Sequence, residues 1–287
     1  MAEQLTVKKY RANCHCAAYI YEVNLPEVKT GLQIDDVYCY KRAGIFQCPP
    51  SDDDITFVKG DPTTLVSYSF GNVKHQFCAS CSTYLFRIDS KTYVNLRAFQ
   101  NLNVWDLDIE KIDNCKSSPP PDWKPARFEG PEPPAEISGA NIKIYTGGCH
   151  CGAVTVALKT KVLDGAYEEP IVECDCSICS RNGYTWVYPT KPQVTIMGWY
   201  NISYYAFGRK AWRKTFCREC GVPVSNYIEG YDMDAIDEMP EENREWAKSH
   251  LDWSPINVRV LEGVDLEELK ITRVNGSTLR KPFYVNP

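Results

Sequence analysis

The chain has 287 residues, 44% of them hydrophobic, with a net charge of −5 and 14 cysteines. That hydrophobic share supports a packed core and excludes a disordered chain, and the acidic balance argues against a nucleic-acid-binding surface, which would be basic. No apolar run reaches the roughly 18 residues of a membrane span.

The opening stretch, residues 1–16, lacks an apolar signal-peptide core. A cytoplasmic home is expected, with the nucleus as the alternative. In a reducing compartment cysteines read as metal ligands rather than disulfides. Cys14-His15-Cys16 comes first and a strand is predicted over residues 17–23, where Val, Ile and Tyr dominate. Cys39 and Cys48 follow, then Cys78-Ala79-Ser80-Cys81, then a strand predicted over residues 93–99. Residues 115–140 hold seven prolines and no apolar period, so they read as a semi-rigid linker. Beyond it come Cys149-His150-Cys151, a strand predicted over 153–158, Cys174-Asp175-Cys176-Ser177-Ile178-Cys179, a strand predicted over 185–188, and Cys217-Arg218-Glu219-Cys220.

The order repeats. Cys14 and Cys149 lie 135 residues apart, Cys78 and Cys217 139 apart. Two CxC…CxxC sets in one register make the chain two copies of one domain, each with the four thiolates of a tetrahedral structural zinc: Cys14, Cys16, Cys78 and Cys81, then Cys149, Cys151, Cys217 and Cys220. The predicted division is 1–116, a linker over 117–140, and 141–287. Asn95-Leu96-Arg97 recurs as Asn257-Val258-Arg259 with the spacing grown to 162, which places an acidic insertion of about 23 residues at 229–253. Its second part, from Glu241, is predicted to form a short helix with acids in the first turn. The insertion reads either as a wall narrowing access to the nearby cysteines, with Met233, Ile236, Met239, Trp246 and Leu251 turned inward, or as a solvated decoration.

The copies differ at a third cluster. Cys174, Cys176 and Cys179 give three thiolates, and three protein ligands leave a zinc position open, as in catalytic sites. A spacing of 135 aligns Cys39 with Cys174, so that Lys41 and Gly44 replace the other two cysteines and leave no metal site there. Cys39, Cys48 and Cys115 are then expected to be small buried hydrophobes.

Gly147-Gly148-Cys149-His150-Cys151-Gly152, Cys174-x-Cys176-x-x-Cys179-Ser180-Arg181 and Phe216-Cys217-x-x-Cys220-Gly221 together resemble the glutathione-dependent formaldehyde-activating (GFA) domain, the family that includes centromere protein V. The resemblance spans 141–287 and, in weaker form, 10–115. It implies a mainly β fold of two tandem β-tent domains. It implies a structural zinc in each outer set and an open zinc on Cys174, Cys176 and Cys179, three zinc ions per chain. It also implies joining formaldehyde to glutathione. The chain departs from the family pattern in having two domains, in Asp175 between the first cysteines of the cluster, and in the acidic insertion.

A zinc held by three thiolates suits a sulfur ligand better than a hydrolytic water. The expected function is therefore a zinc-dependent carbon–sulfur lyase acting on a small-molecule thiol or thiol adduct, with glutathione as a candidate substrate and neither nucleic acid nor membrane as partner. The same chemistry on a sulfur-containing biosynthetic intermediate and a non-catalytic zinc scaffold are the alternatives. Arg181 reads as a carboxylate clamp or an ordinary surface arginine. Asp175 reads as a general acid–base or a turn-stabilising residue. His15 and His150, shared by both copies, read as scaffold.

Overall fold

The computed structural model describes residues 6–113, 123–208, 210, 212–227, 241–279 and 283–287. The chain is mainly β and forms two compact units. One unit holds the residues up to Lys124 together with Asp175–Gly183 and Tyr284–Pro287; the other holds Pro125–Cys174 and Tyr184–Phe283.

In the first repeat a three-stranded sheet runs β1 (Val7–Asn13), β2 (Ile20–Pro26), β5 (Ile55–Lys59). A seven-stranded sheet runs β10 (Asp108–Asp113), β3 (Thr30–Asp35), β4 (Phe46–Gln47), β9 (Thr92–Asn95), β8 (Tyr84–Ile88), β7 (Val73–Phe77), β6 (Val66–Phe70). Helix α1 (Val37–Lys41) joins β3 to β4. The second repeat has the same plan. Its small sheet runs β11 (Ile142–Gly148), β12 (Thr155–Lys161), β15 (Val194–Met197). Its large sheet runs β20 (Ile271–Val274), β13 (Ile171–Cys174), β14 (Thr185–Val187), β19 (Ile256–Asn257), β18 (Pro223–Tyr227), β17 (Arg213–Cys217), β16 (Ile202–Tyr205). Helix α2 (Ser177–Asn182) joins β13 to β14. In each large sheet the pairing at the β10 or β20 edge is parallel and the other pairings are antiparallel.

The predicted strands form with shifted ends. β2 and β12 start later than expected because the turn after each CxC uses the intervening residues. β9 stops at Asn95, whose side chain accepts the Arg97 N–H and turns the chain into a 3-10 helix; Asn257 does the same for Arg259. The core is apolar, with Leu25, Phe46, Leu85 and Leu96 in one unit and Leu158, Ile171, Trp186 and Val224 in the other.

The proline-rich stretch is docked where it is described. Ala135 N–H donates to Pro192 O at 3.0 Å, and Lys159 Nζ reaches Glu132 at 3.2 Å. Of the insertion, the expected helix forms as α3 (Glu241–Ser249). Ala247 is buried, Leu251 half-buried, and Trp253 packs on Tyr188 with ring centroids 5.2 Å apart. Met233, Ile236, Met239 and the Trp246 side chain lie outside the described residues, as does Cys115. A last helix, α4 (Gly276–Leu279), follows β20. Among the described residues no helix is long and apolar enough to cross a membrane.

Candidate metal centres

Each four-cysteine set is assembled by two turns. In the CxC turn the Cys14 N–H donates to Tyr19 O, and the Tyr19 N–H returns to Cys14 Sγ at 3.3 Å. Cys149 and Val154 make the same pair of contacts, again with 3.3 Å to the sulfur. In the CxxC turn Cys78 N–H donates to Thr83 O and Cys217 N–H to Val222 O. Both kinds of turn need a left-handed residue. The second repeat supplies Gly152 (φ 81°) and Gly221 (φ 68°), whereas the first uses Ala17 and Ser82, both at φ 58°.

These turns bring the sulfurs together. Cys14–Cys16 and Cys16–Cys78 are 3.6 Å apart; Cys149–Cys151 is 3.5 Å and Cys151–Cys217 3.6 Å. In each set every ligand atom lies within 4.8 Å of the others. A tetrahedral zinc with Zn–S of about 2.3 Å sets its sulfurs ~3.8 Å apart, so the spacing fits the ion. It is far from the ~2.05 Å of a disulfide. Both sets are mostly buried, with Cys16 and Cys151 at the more open edge.

The third cluster lies on one continuous stretch of chain. Cys174 ends β13, Cys176 is the N-cap of α2, and Cys179 lies inside the helix. The Cys176 side chain makes no capping hydrogen bond. Its sulfur lies within 4.8 Å of those of Cys174 and Cys179. Cys174 and Cys179 are buried and Cys176 half-exposed, so the donor set has one accessible member. Three soft donors in that spacing suit zinc with one position left over.

The structure corrects the alignment of the first repeat with this cluster. β3 pairs Leu32 with Phe46, and β13 pairs Val172 with Trp186, a shift of 140 in both partners. The helices agree: Asp36 and Cys176 are both N-caps, and Ala43 (φ 48°) and Gly183 (φ 60°) both follow the helix in the left-handed region. Cys39 therefore corresponds to Cys179, Ile34 to Cys174 and Asp36 to Cys176. Lys41 corresponds to Arg181 and Gly44 to Tyr184. Spacing between cysteines misled because a gap falls between the CxC turn and the helix. Asp36 caps its helix by accepting the Cys39 N–H at 2.6 Å, and Arg87 Nε lies 3.8 Å from its other oxygen. Arg87 is buried, also pairs with Asp89 and lies over the Tyr93 ring. A fixed guanidinium thus provides positive charge beside the residue that replaces Cys176. Lys41 is buried, but it stands where the second repeat has Arg181 and so does not fill the place of a cysteine ligand as the sequence spacing implies. Burial pushes the Cys39 thiol well above its usual range, with the nearby Asp36 carboxylate adding to the rise. Cys48, expected to be buried, is half-exposed.

Arg181 is 6% exposed. Its guanidinium donates to Asn13 O, Asn13 Oδ1, Ser177 O and Asn286 Oδ1, and it lies over the Tyr284 ring at 4.8 Å. These contacts tie α2, β1 and the C-terminal residues together within one unit, a structural arrangement. His15 belongs to the same knot: its Nε2 is 2.9 Å from Ser177 Oγ and its ring stacks on Tyr284 at 4.5 Å. Burial, aided by Arg181, lowers its pKa to about 3, which keeps the ring neutral. His150 is buried too. Asp175 is half-buried between two of the clustered cysteines.

Sequence reasoning passed over Lys214. Its Nζ lies 4.7 Å from the Trp186 ring centroid and 5.4 Å from that of Tyr184. Its strand position opposite Asn226 shows only once β17 and β18 are paired.

No known family profile matches the chain. A crystal structure of a Rhodobacter sphaeroides protein, a structural-genomics target, is similar at 26% identity over 45% of this chain and 97% of that one, with a TM-score of 0.32. The class that fold and site define is a mainly β protein with two similar halves and, among the described residues, three cysteine clusters able to hold metal ions.

Proposed function

We propose that the second repeat is the working half of a zinc-dependent carbon–sulfur lyase of the GFA type, taking a small-molecule thiol or thiol adduct such as a glutathione conjugate. The first repeat serves as a structural partner with metal in its four-cysteine set alone. The observation that carries this reading is the contrast among the clusters: two complete sets of four sulfurs and one set of three with a half-exposed member.

Zinc bound there supplies a soft Lewis acid with a position left for an incoming sulfur. Cys174, Cys176 and Cys179 would hold it, and their three negative charges disfavour hydrolytic chemistry relative to a histidine site. Cys176 marks the side from which a ligand enters. The buried Cys174 and Cys179 keep water from the opposite side, which strengthens local electrostatics. In the forward direction the thiol sulfur bonds to the aldehyde carbon, the carbonyl π bond opens, and the thiol proton ends on the new hydroxyl oxygen. Cleavage is the reverse.

Carbon NMR of labelled formaldehyde mixed with glutathione tests this. The protein should accelerate formation and exchange of the hydroxymethyl thioether, and Cys176→Ser should fall to the uncatalysed rate. Acceleration with none of a panel of thiols would instead favour a non-catalytic binding scaffold.

A further inference from the structure

The sheet face that carries Cys174 also carries a group of polar and aromatic side chains that the chemistry above does not use. Val172 and Trp186 are opposite each other on β13 and β14, and residues directly opposite share a face. Cys174 is two residues beyond Val172, so it points the same way, and Tyr184 is two residues before Trp186. The other face is occupied separately: Glu173 accepts from Thr185 Oγ1 at 3.0 Å and pairs with Arg259 at 3.5 Å. Across the sheet, Val187 pairs with Ile256 and Ile256 with Ser225. The residues next to Val187 and Ser225, Trp186 and Asn226, therefore share the Cys174 face. Lys214 is opposite Asn226. The ring distances agree, since Lys214 Nζ sits over both Trp186 and Tyr184.

Among the described residues, two polar atoms in this group are buried without a hydrogen-bond partner: Trp186 Nε1 and Asn226 Oδ1. Their residues are 2% and 6% exposed. Leaving such atoms unmatched is unfavourable, and most buried polar groups in folded proteins are satisfied. The first repeat differs at both positions, although Arg87 Nε there is also buried without a hydrogen bond. It has Phe46, with no N–H, where the second has Trp186, and Arg87, paired with Asp36 and Asp89, where the second has Asn226. Trp186 and Asn226 thus offer one donor and one acceptor beside a cation in the repeat that keeps three cysteines.

We propose that Lys214, Trp186 and Asn226 form a recognition subsite for the carboxylate-bearing part of the thiol substrate, on the sheet face that carries Cys174. The proposal deepens the thiol-lyase reading and rests on it for the place of the sulfur. The carboxylate accepts from the Lys214 ammonium and the Trp186 Nε1–H. An N–H near that carboxylate, from an amine or amide, donates to Asn226 Oδ1. Tyr184 and Trp186 hold the ammonium over their faces and limit its freedom.

Calorimetry with S-methylglutathione and with its dimethyl ester tests the subsite without asking for turnover, because the methylated sulfur carries no proton and the ester no carboxylate charge. The unaltered zinc protein should prefer the free acid at least tenfold. Lys214→Met should lower that preference at least tenfold and Lys214→Arg should restore part of it. Trp186→Phe keeps an aromatic face and removes the donor; it should weaken free-acid binding, with a melt on the same sample to register the effect of the smaller buried ring. Zinc content is measured for each variant, so that loss of metal is not mistaken for loss of the subsite. No preference for the acid, or a preference unchanged in Lys214→Met and Trp186→Phe, overturns the proposal and leaves the two atoms as hosts for buried water. Adduct formation from formaldehyde and glutathione, which carries the carboxylates, is followed separately on the unaltered protein. Absence of that reaction together with carboxylate-dependent binding contradicts the lyase reading and leaves the subsite standing.

Discussion

Cys217→Ser and Cys176→Ser should part company in a thermal melt, and the structure sets the size of the difference. A metal bridging Cys151 and Cys217 clips together residues 66 positions apart. Applying loop-closure entropy as for a covalent cross-link, that clip is worth about 4 kcal/mol. A metal on the third cluster joins only Cys174 to Cys179, a loop of five residues and about 2 kcal/mol on the same scale. Serine at position 176 also becomes an N-cap for α2, where the cysteine makes no capping bond, and recovers ~1 kcal/mol. Cys217→Ser should therefore lower Tm by roughly 8–16 °C, and Cys176→Ser by about 2–4 °C. Five of the seven tryptophans lie in the second repeat, so intrinsic fluorescence follows its unfolding, with metal content measured on the same samples. Equal shifts, or a larger one for Cys176→Ser, would refute the division into a folding clip and a local open site.

The corrected alignment makes a prediction for the first repeat. Ile34→Cys with Asp36→Cys, in an Arg87→Asn background that removes the guanidinium, should add one metal equivalent alongside the native Cys39. Lys41→Cys with Gly44→Cys should add none and lower the yield of folded protein, because a Cβ on Gly44 would sit 2.4 Å from the Phe46 ring; metal analysis of both variants checks this. On titration with a strong chelator, the three-cysteine site should lose metal first with far-ultraviolet circular dichroism unchanged, while loss from the four-cysteine sets should accompany unfolding. Simultaneous loss from all clusters would count against their being different in kind. Arg181→Ala should cost about 1–3 kcal/mol, since it removes charge-assisted bonds to Asn13 O and to Asn13 Oδ1, the latter keeping Gln100 Nε2 as a donor. Denaturant melts measure this, and a change under about 0.5 kcal/mol would mean the knot carries little.

The duplicated cysteine turns were legible in the sequence because each four-ligand set depends on short local turns whose residue types are nearly fixed. The helix of the insertion was legible from local signals too: acids in its first turn after Pro240, with Lys248 and His250 at its end. The partner of the three-cysteine cluster was not. Its alignment depends on the pairing of Leu32 with Phe46 and of Val172 with Trp186, and residues joined only by a sheet ladder leave no spacing signal. Asp36 reads as an ordinary helix cap until its place opposite Cys176 is known. In the sequence Arg181 reads as a carboxylate clamp or a surface arginine; its acceptors come from Asn13 and Asn286, far away in sequence. Lys214 and Trp186 lie 28 residues apart and meet only through the order of four strands.

The central claim is that the third cluster holds a metal whose remaining position accepts a substrate sulfur, while the other two are closed. Cadmium NMR of the substituted protein tests it most directly. The account predicts three resonances, one for each cysteine cluster. On adding a thiol, the resonance that Cys176→Ser removes should shift and the other two should stay in place. Two resonances only, or a third that no thiol moves, would contradict it.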